Sequence, residues 1–231
     1  DDTEYLLVGD RERLEQALAP YKRRGRISVV HASEAIRMDD QPVMAVRQKK
    51  DSSLLVALRL VKSGEADACV SAGNTGAVMV AARTILGPIR GVSRSAICQT
   101  VPTIKKPVLL IDLGANVDCT ARQLCDFAEM GMLYMEHVLR RKNPRVGLLN
   151  IGEEHVKGND LAKAVHRNLS ASGHINFVGN IEPRAIYNGD ADVVVCDGFV
   201  GNVVLKTTEA TAALIKQRLH RELMSTWISK L

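Results

Sequence analysis

The sequence predicts an α/β fold, a three-layer α/β/α sandwich whose central sheet is mostly parallel. Short runs rich in aliphatic and β-branched residues alternate along the chain with longer helical patterns, which is the order expected of a sheet covered by helices on both faces. Several of the short runs, such as Val193–Cys196, are apolar at consecutive positions, which is typical of strands buried on both faces. Polar or glycine-rich turns follow these runs.

The individual elements follow from composition and period. Eight runs of four or five residues have the composition of strands: Tyr5–Val8, Ile27–Val30, Ala68–Ser71, Ala96–Thr100, Val108–Asp112, Val146–Asn150, Ile175–Val178 and Val193–Cys196. Six longer segments between and after them carry the helical period: Arg11–Leu18, Pro42–Lys62, Thr75–Leu86, Ala121–Arg141, Asp160–Ala171 and Val203–Leu231. Because no repeat or linker interrupts this order, we expect one α/β domain over residues 1–231.

The composition excludes several classes of protein. Aromatic residues make up only 3% of the 231 residues, which argues against nucleic-acid recognition by base stacking. No apolar run approaches the ~20 residues that a membrane-spanning helix needs. The five cysteines show no zinc-binding spacing, and we interpret them as reduced residues of a cytosolic protein. The formal net charge of +5 is compatible with an anionic partner such as phosphate, an acidic carrier protein or a membrane surface.

Polar residues and glycine collect where the predicted strands end. In open parallel sheets, ligands bind in the crevice outside the carboxyl ends of the strands. One turn of this composition would be ordinary turn chemistry, but this chain has a succession of them. The sequence therefore predicts a ligand site formed by these turns: Ser71–Gly76, Asp112–Asp118, Asn150–Glu154 and Asp197–Asn202.

The turn Ser71–Gly76 holds no bulky side chain and leads into a predicted helix. A small-residue turn at a helix start exposes backbone N–H groups at the positive end of the helix dipole, which suits phosphate or a developing oxyanion. The alternative is a simple capped helix start, with Asn74 or Ser71 as the N-cap. No sequence motif for a covalent nucleophile is present, so we expect a reaction in which a bound ligand is the nucleophile.

Taken together, these motifs identify a resemblance along nearly the whole chain. In order they are His31–Glu34, Lys49–Ser53, Val70–Ala77, Asp112–Asp118, Gly147–Glu154 and Asp197–Lys206. In this collinear set the chain resembles the PlsX family of phosphate:acyl-acyl-carrier-protein acyltransferases. The family fold is similar to those of phosphotransacetylase and of isocitrate and isopropylmalate dehydrogenases. The resemblance implies transfer of a long-chain acyl group from acyl carrier protein to inorganic phosphate, giving acyl phosphate for phospholipid synthesis, with no cofactor and no metal.

The resemblance also implies roles for residues in the matching turns. Phosphate binding falls to Ser71, Gly73, Asn74, Thr75, Gly76 and Lys49, and the catalytic group comprises Asn74, Asn116, Asn202 and Lys206. Substrate binding falls to Asp112, Gly114, Asn150, Gly152, Asp197, Gly198 and Gly201. In this scheme a phosphate oxygen attacks the thioester carbonyl, and an asparagine amide stabilises the oxyanion.

Family members are homodimers that associate with the cytoplasmic membrane surface, so we expect a cytoplasmic, peripherally membrane-associated protein. The last predicted helix, 203–231, repeats an apolar residue every four positions, at Ile215, Leu219, Leu223, Trp227 and Leu231. Core packing, a dimer face and membrane contact all remain open for this stripe. Relative to the family pattern, we expect the chain to be incomplete at both ends.

Three other functions remain open at this point. A phosphotransacetylase acting on acyl-CoA needs the same phosphate turn. A dehydrogenase of similar fold needs a dinucleotide and a divalent metal, for which Glu153 and Glu154 are the only hint. A non-catalytic scaffold of lipid metabolism would keep the amphipathic helix but would not need the aligned polar turns.

Overall fold

A computed structural model describes residues 2–21 and 25–225 of the chain. The elements in chain order are β1 (Tyr5–Gly9), α1 (Arg11–Leu18), β2 (Ile27–His31), α2 (Pro42–Gln48), α3 (Ser53–Ser63), α4 (Thr75–Ile85), β3 (Cys98–Val101), β4 (Val108–Ile111), α5 (Ala121–His137), β5 (Val146–Leu149), α6 (Asp160–Ser170), β6 (Phe177–Ile181), α7 (Pro183–Asn188), β7 (Val193–Val195) and α8 (Gly198–Ser225). The chain divides into two compact units, Asp1–Ser95 and Ala96–Leu231. The expectation of one domain stays a prediction.

The first unit is built on a two-stranded parallel sheet of β1 and β2. Its buried core lies among α2, α3 and α4, where Val46, Leu55, Leu58, Ala77 and Ala81 pack together. Ala77 and Ala81 of α4 are completely buried, and their small side chains let the helices approach closely.

The second unit is the predicted three-layer sandwich. Its sheet has the order β3-β4-β7-β5-β6, and every pairing is parallel except that of β3 with β4. Successive residues of a strand point to opposite faces, so Leu109 and Ile111 pack beneath α5 and α6. Val108 and Leu110 pack in the other core with α7 and α8. The consecutive apolar residues of β4 and β7 are all buried, as the sequence predicts.

Two predictions in the first unit are wrong. No strand forms at Ala68–Ser71, where Val70 is 99% exposed, because no strand of this unit's described residues pairs with it. The single helix predicted over Pro42–Lys62 is broken between α2 and α3. At the break the chain is bonded to the 33–34 segment instead: the Asp51 carboxylate accepts hydrogen bonds from the backbone N–H and the hydroxyl of Ser33, and the Ser53 N–H donates to the Glu34 carbonyl.

Further differences lie in the second unit. Helix α7 was not predicted, although Pro183 at its start and left-handed Gly189 after its end are ordinary helix boundaries. Helix α5 ends at His137 rather than Arg141, and α8 begins at Gly198 rather than Val203. Strand β6 is shifted toward Ile181. Trp227 and Leu231 of the predicted stripe lie outside the described residues. Within the described part of the chain, no helix is both long and apolar enough to cross a membrane.

Candidate active site

The predicted polar turns of the second unit lie at one edge of its sheet. Asp112 follows β4, Asp197 comes soon after β7, and Asn150 follows β5. These three strands are parallel neighbours in the order β4-β7-β5, so their carboxyl ends meet at the same edge. The structure therefore brings the turns after β4, β7 and β5 together.

Asp112 is completely buried and organises the turn that follows β4. Its Oδ1 accepts hydrogen bonds from the backbone N–H groups of Ile97 and Ala115, at 2.9 and 3.1 Å. Its Oδ2 accepts from the backbone N–H and the side-chain Nδ2 of Asn116, at 2.8 and 2.9 Å. Four N–H groups thus converge on one carboxylate, which fixes the backbone of the turn and the direction of the Asn116 side chain.

The start of α8 lies directly against this turn, and its glycines make that possible. A Cβ at Gly201 would lie 1.8 Å from the carbonyl oxygen of Asp112, and one at Gly198 would lie 2.8 Å from that of Asn116. The Gly198 N–H donates to the Asn116 carbonyl at 2.8 Å. Only glycine allows so close an approach of two backbones, so the two turns are locked together as one surface.

The two candidate oxyanion donors differ in exposure. The Asn116 side chain is buried and donates to Asp112. Asn202 is exposed in the first turns of α8, and its side chain lies beside Gly114, where an added Cβ would be 3.6 Å from Asn202 Cβ. Lys206 is exposed one turn further on and pairs with Glu209 at 2.9 Å.

The strand-end residue Cys196 does not offer a thiolate nucleophile. Burial raises the pKa of the Cys196 thiol far above its ordinary value, and the neighbouring carboxylates of Asp197 and Asp112 raise that pKa further. A thiol stays protonated and weakly nucleophilic under those conditions.

Asn150 shapes the turn between β5 and α6. Its Oδ1 accepts from the Ile151 N–H at 2.8 Å, and its Nδ2 donates to the Lys157 carbonyl at 3.2 Å. Gly158 lies against it in the left-handed region, with φ +87°, and a Cβ there would come within 2.6 Å of Asn150 Oδ1. Gly152 is buried in the same turn. Asn150 and Gly152 therefore hold the backbone of this edge.

In the first unit, Ser71–Gly76 forms the start of α4, and Asn74 is its N-cap. The Asn74 Oδ1 accepts from the Ala77 N–H at 3.0 Å, while its Nδ2 lies within 3.0–3.3 Å of the Arg37, Met38 and Asp40 carbonyls. The Asn74 side chain is thus occupied by the fold. Ser71, Gly73, Thr75 and Gly76 are exposed, and the Gly73 N–H donates to the Ser71 hydroxyl at 3.2 Å.

Lys49 holds the same 35–40 segment as Asn74. Its Nζ donates to the Ala35 carbonyl at 3.0 Å and forms an ion pair with Asp40. That hydrogen bond from Lys49 lowers the pKa of the Asp40 carboxyl. Asp40 is a residue that sequence reasoning missed, and the signal was the unassigned acidic pair Asp39-Asp40 before Pro42. In the described ranges, no three His, Cys, Asp or Glu side chains are placed to bind a metal.

The predicted residues therefore lie in both units. The second unit brings together Asp112, Gly114, Asn116, Asp197, Gly198, Gly201 and Asn202, with Asn150 and Gly152 at the next strand end and Lys206 one turn along α8. The first unit holds Ser71, Gly73, Asn74, Thr75 and Gly76 at one helix start, and Lys49 reaches the loop that Asn74 binds.

The chain is similar in sequence to known proteins along its whole length. The sequence model of the family described as "Fatty acid synthesis protein" matches residues 1–231. A phosphate acyltransferase from Desulforamulus reducens is 51% identical over 218 residues, 94% of this chain and 65% of that protein. One from Desulfitobacterium hafniense is 49% identical over 231 residues, 100% of this chain and 69% of that protein. The chain spans about two thirds of the length of these relatives.

Solved structures show the fold. A phosphotransacetylase from Streptococcus pyogenes aligns with a TM-score of 0.62 at 16% identity, over 91% of this chain and 82% of its own. The EutD phosphotransacetylase from Staphylococcus aureus aligns with a TM-score of 0.55, also at 16% identity, over 91% and 83%. The predicted similarity of fold to phosphotransacetylase is confirmed.

Proposed function

The chain belongs to the family described as "Fatty acid synthesis protein", and on that basis we propose that it transfers an acyl group to inorganic phosphate. Two curated relatives, 51% and 49% identical to this chain in sequence, are named phosphate acyltransferase. The finer proposal is that the acyl donor is the thioester of a long-chain acyl group with acyl carrier protein, and that the acyl phosphate product enters phospholipid synthesis. The positive formal charge of +5 suits an acidic carrier protein.

The observation that carries the proposal is the open start of α4. Ser71, Gly73, Thr75 and Gly76 are exposed there, whereas the Asn74 side chain and Lys49 brace the turn from below through the 35–40 segment. Exposed N–H groups and hydroxyls at a helix start favour an anion. We assign inorganic phosphate to this turn, with Thr75 as the hydroxyl donor and Asn74 as a positioning residue.

The second unit supports the acyl half of the reaction. A phosphate oxygen attacks the thioester carbonyl carbon, a carbon–oxygen bond forms, and the carbon–sulfur bond breaks as the thiolate leaves and takes a proton from solvent. The carbonyl oxygen becomes negative in between, and one donated hydrogen bond there lowers the barrier by about 3–4 kcal/mol. We assign this donor to the exposed Asn202 amide, with Asp112 and Asn116 positioning the surface on which it stands.

The long helix α8 extends the proposal to partners. Ile215, Leu219 and Leu223 are each more than half exposed and recur every four residues, so they form an apolar stripe that does not pack into the core of its unit. A single-face stripe of this kind suits a homodimer contact or the surface of the cytoplasmic membrane. We propose one of these two contacts for the stripe.

The experiment that tests the function is an assay of acyl phosphate formation. The protein is incubated with palmitoyl-carrier protein and inorganic phosphate, and the acyl phosphate is trapped with hydroxylamine. We expect phosphate-dependent hydroxamate and little product from palmitoyl-CoA. Equal rates with both thioesters would contradict the carrier-protein assignment, and the absence of product would contradict the function.

A variant separates the phosphate turn from the rest of the site. Thr75→Val removes a hydroxyl from an exposed helix start without a large change in shape. Because a hydrogen bond to a charged group contributes about 1.5–3 kcal/mol, we expect KM for phosphate to rise about tenfold or more, whereas KM for the acyl substrate stays unchanged. An unchanged KM for phosphate would remove Thr75 from the site.

A further inference from the structure

A cavity of about 390 Å³ lies at the carboxyl ends of β5 and β7, within the second unit. Its residues come from both helical layers: Leu124 of α5, Leu161 of α6 and Val200 and Val204 of α8 stand around the strand residue Leu148. It therefore lies over the strand ends, between the helices of the two faces. Its volume falls in the range of about 300–1,000 Å³ that is usual for small-molecule sites.

The lining of the cavity is mostly aliphatic, and several polar atoms of its Asp197, Asn150 and Asn159 side chains are bonded to backbone, including Asn159 Oδ1 to the Ala162 N–H at 2.8 Å. Asp197 Oδ1 accepts from the Val200 N–H at 2.8 Å, and both side-chain polar atoms of Asn150 are bonded within their own turn. Three of the four polar atoms of these two side chains are thus bonded within the protein. The Asp197 carboxylate also disfavours an anionic group beside it. The lining thus favours an apolar, uncharged chain over a phosphate or a sugar.

The walls of the cavity are held by contacts outside it. On the α8 side, Gly201 packs against the Asp112 carbonyl, so the start of this helix cannot move inward. On the α6 side, Gly158 packs between Asn150 and Ala162, where an added Cβ would lie 2.6 and 2.9 Å from their nearest atoms. Because both helix starts are anchored to backbone turns, the cavity is formed before a ligand arrives.

We propose that this cavity binds the acyl chain of the thioester substrate and sets the length of chain that the protein accepts. The inference rests on the proposed function for the identity of the ligand. It adds the location of the chain: against Leu124, Leu161, Val200 and Val204, beside the turn that carries Asn202. An apolar cavity gains affinity with each methylene buried, at about fourfold per methylene, until the cavity is full.

The first test measures binding without turnover. S-acyl-N-acetylcysteamine thioesters from butanoyl to dodecanoyl are titrated into the protein by calorimetry with no phosphate present. We expect Kd to fall about fourfold per methylene and then to level off at the length that fills the cavity. Because the measurement needs no acyl transfer, it can succeed when the hydroxamate assay fails. A Kd independent of chain length would overturn the proposal even if transfer occurs.

The second test changes the capacity of the cavity. Val200 is 38% exposed, so Val200→Phe can extend into the cavity without a clash in the closed core. Phe adds about four carbon atoms, so the plateau moves to chains shorter by about that number. At about fourfold per methylene, Kd for the longest chains rises by up to about 250-fold. The matched control is Val178→Phe on β6, where Val178 is 42% exposed and does not line the cavity.

A third variant works in the opposite direction. Leu161→Ala enlarges the cavity, so the plateau moves to longer chains, and circular dichroism confirms the fold of each variant. If Val200→Phe fails to fold, Leu161→Ala decides. The proposal is overturned if Val200→Phe and Val178→Phe give the same chain-length profile, or if Leu161→Ala leaves the plateau where it is in the parent protein.

Discussion

At the scale of single residues, the polar turns act mostly by holding backbone. Asp112 and Asn74 have the side chains that sequence reasoning would choose as ligand groups, and in both the polar atoms are bonded to the protein itself. The exposed residues at these turns include Ser71, Thr75 and Asn202. Sequence composition finds such turns, but it does not separate a residue that binds from one that positions, because both roles select the same small polar side chains.

Asp112→Asn tests the role of the carboxylate that accepts four hydrogen bonds. The substituted amide presents an NH2 group to N–H donors that the carboxylate now satisfies, so buried donors lose their acceptor. We expect the free energy of unfolding, measured in urea, to fall by about 3 kcal/mol. The control is Asp118→Asn in the same turn, where the side chain is exposed and a change below about 0.5 kcal/mol is expected. Equal effects would mean that Asp112 does not organise the turn.

Asn74→Asp separates the two halves of the Asn74 side chain. Aspartate keeps the N-cap acceptor, but it replaces the donor that faces the Arg37, Met38 and Asp40 carbonyls with an oxygen. We expect thermal denaturation to show a loss of about 2 kcal/mol or more. Asn159→Asp is the control, because Asn159 caps α6 through the Ala162 N–H and is exposed. If both variants were as stable as the parent, the Asn74 side chain would stabilise the fold through its N-cap acceptor alone, and its Nδ2 donor would contribute nothing.

At the scale of elements, the sequence pattern predicted the strands and helices whose formation depends on neighbouring residues. The consecutive apolar residues of β4 and β7 were recognisable because parallel strands are buried on both faces. The break between α2 and α3 was not, because Asp51 is bonded to Ser33, eighteen residues earlier in the chain. Nor was the loss of a strand at Ala68–Ser71, since an apolar run forms a strand only when another strand is beside it. Distant contacts of this kind are absent from a local pattern.

Asp192 joins two elements of the sheet and gives the fold a dependence on pH. Burial alone would raise its pKa, but hydrogen bonds from the Arg145 backbone and side chain and from Arg141 outweigh burial and lower it. A carboxyl whose pKa is lower in the folded state stabilises the fold above its unfolded pKa of about 3.9. That stabilisation is lost as the pH falls through the folded pKa.

We expect Asp192→Asn to lower the free energy of unfolding by about 2–3 kcal/mol at neutral pH. The difference from the parent protein should shrink below pH ~4, where the parent carboxyl takes up its proton. Urea denaturation across a pH series measures both effects. Asp190→Asn serves as the control, because its ion pair with Lys105 is exposed and surface pairs contribute little. A gap between parent and variant that does not change with pH would contradict the assignment.

At the scale of the molecule, the second unit has the larger sheet and the more extensive hydrophobic core. It has five strands with a separate core on each face, whereas the first unit has two strands and one core among three helices. Two-stranded sheets are stable only when other elements pack on them. The sequence predicted the three-layer arrangement, because it depends on the order of elements. It could not predict which unit holds which site residue, since that depends on where the first compact unit ends and the second begins.

The exposed stripe of α8 is tested by replacing one residue in its middle. Burial of a leucine contributes about 1.5–3 kcal/mol, so Leu219→Ser should weaken the contact tenfold or more. Flotation with anionic liposomes measures membrane binding, and sedimentation equilibrium measures the dimer. Gln217→Ser, on the opposite face of the helix, should change neither. If Leu219→Ser also changed neither, the stripe would have no role in either contact.

Helix α8 connects the Asp112 turn to the exposed apolar stripe. It starts at Gly198, clamped to the Asp112 turn, and carries Leu219 within one unbroken helix that the structure follows to Ser225. Each residue advances a helix by about 1.5 Å, so roughly 30 Å separate these positions along the axis. The helix therefore acts as a rigid spacer. A surface or partner that bound Leu219 would fix the distance and the angle between itself and the first turns of α8, which carry Asn202.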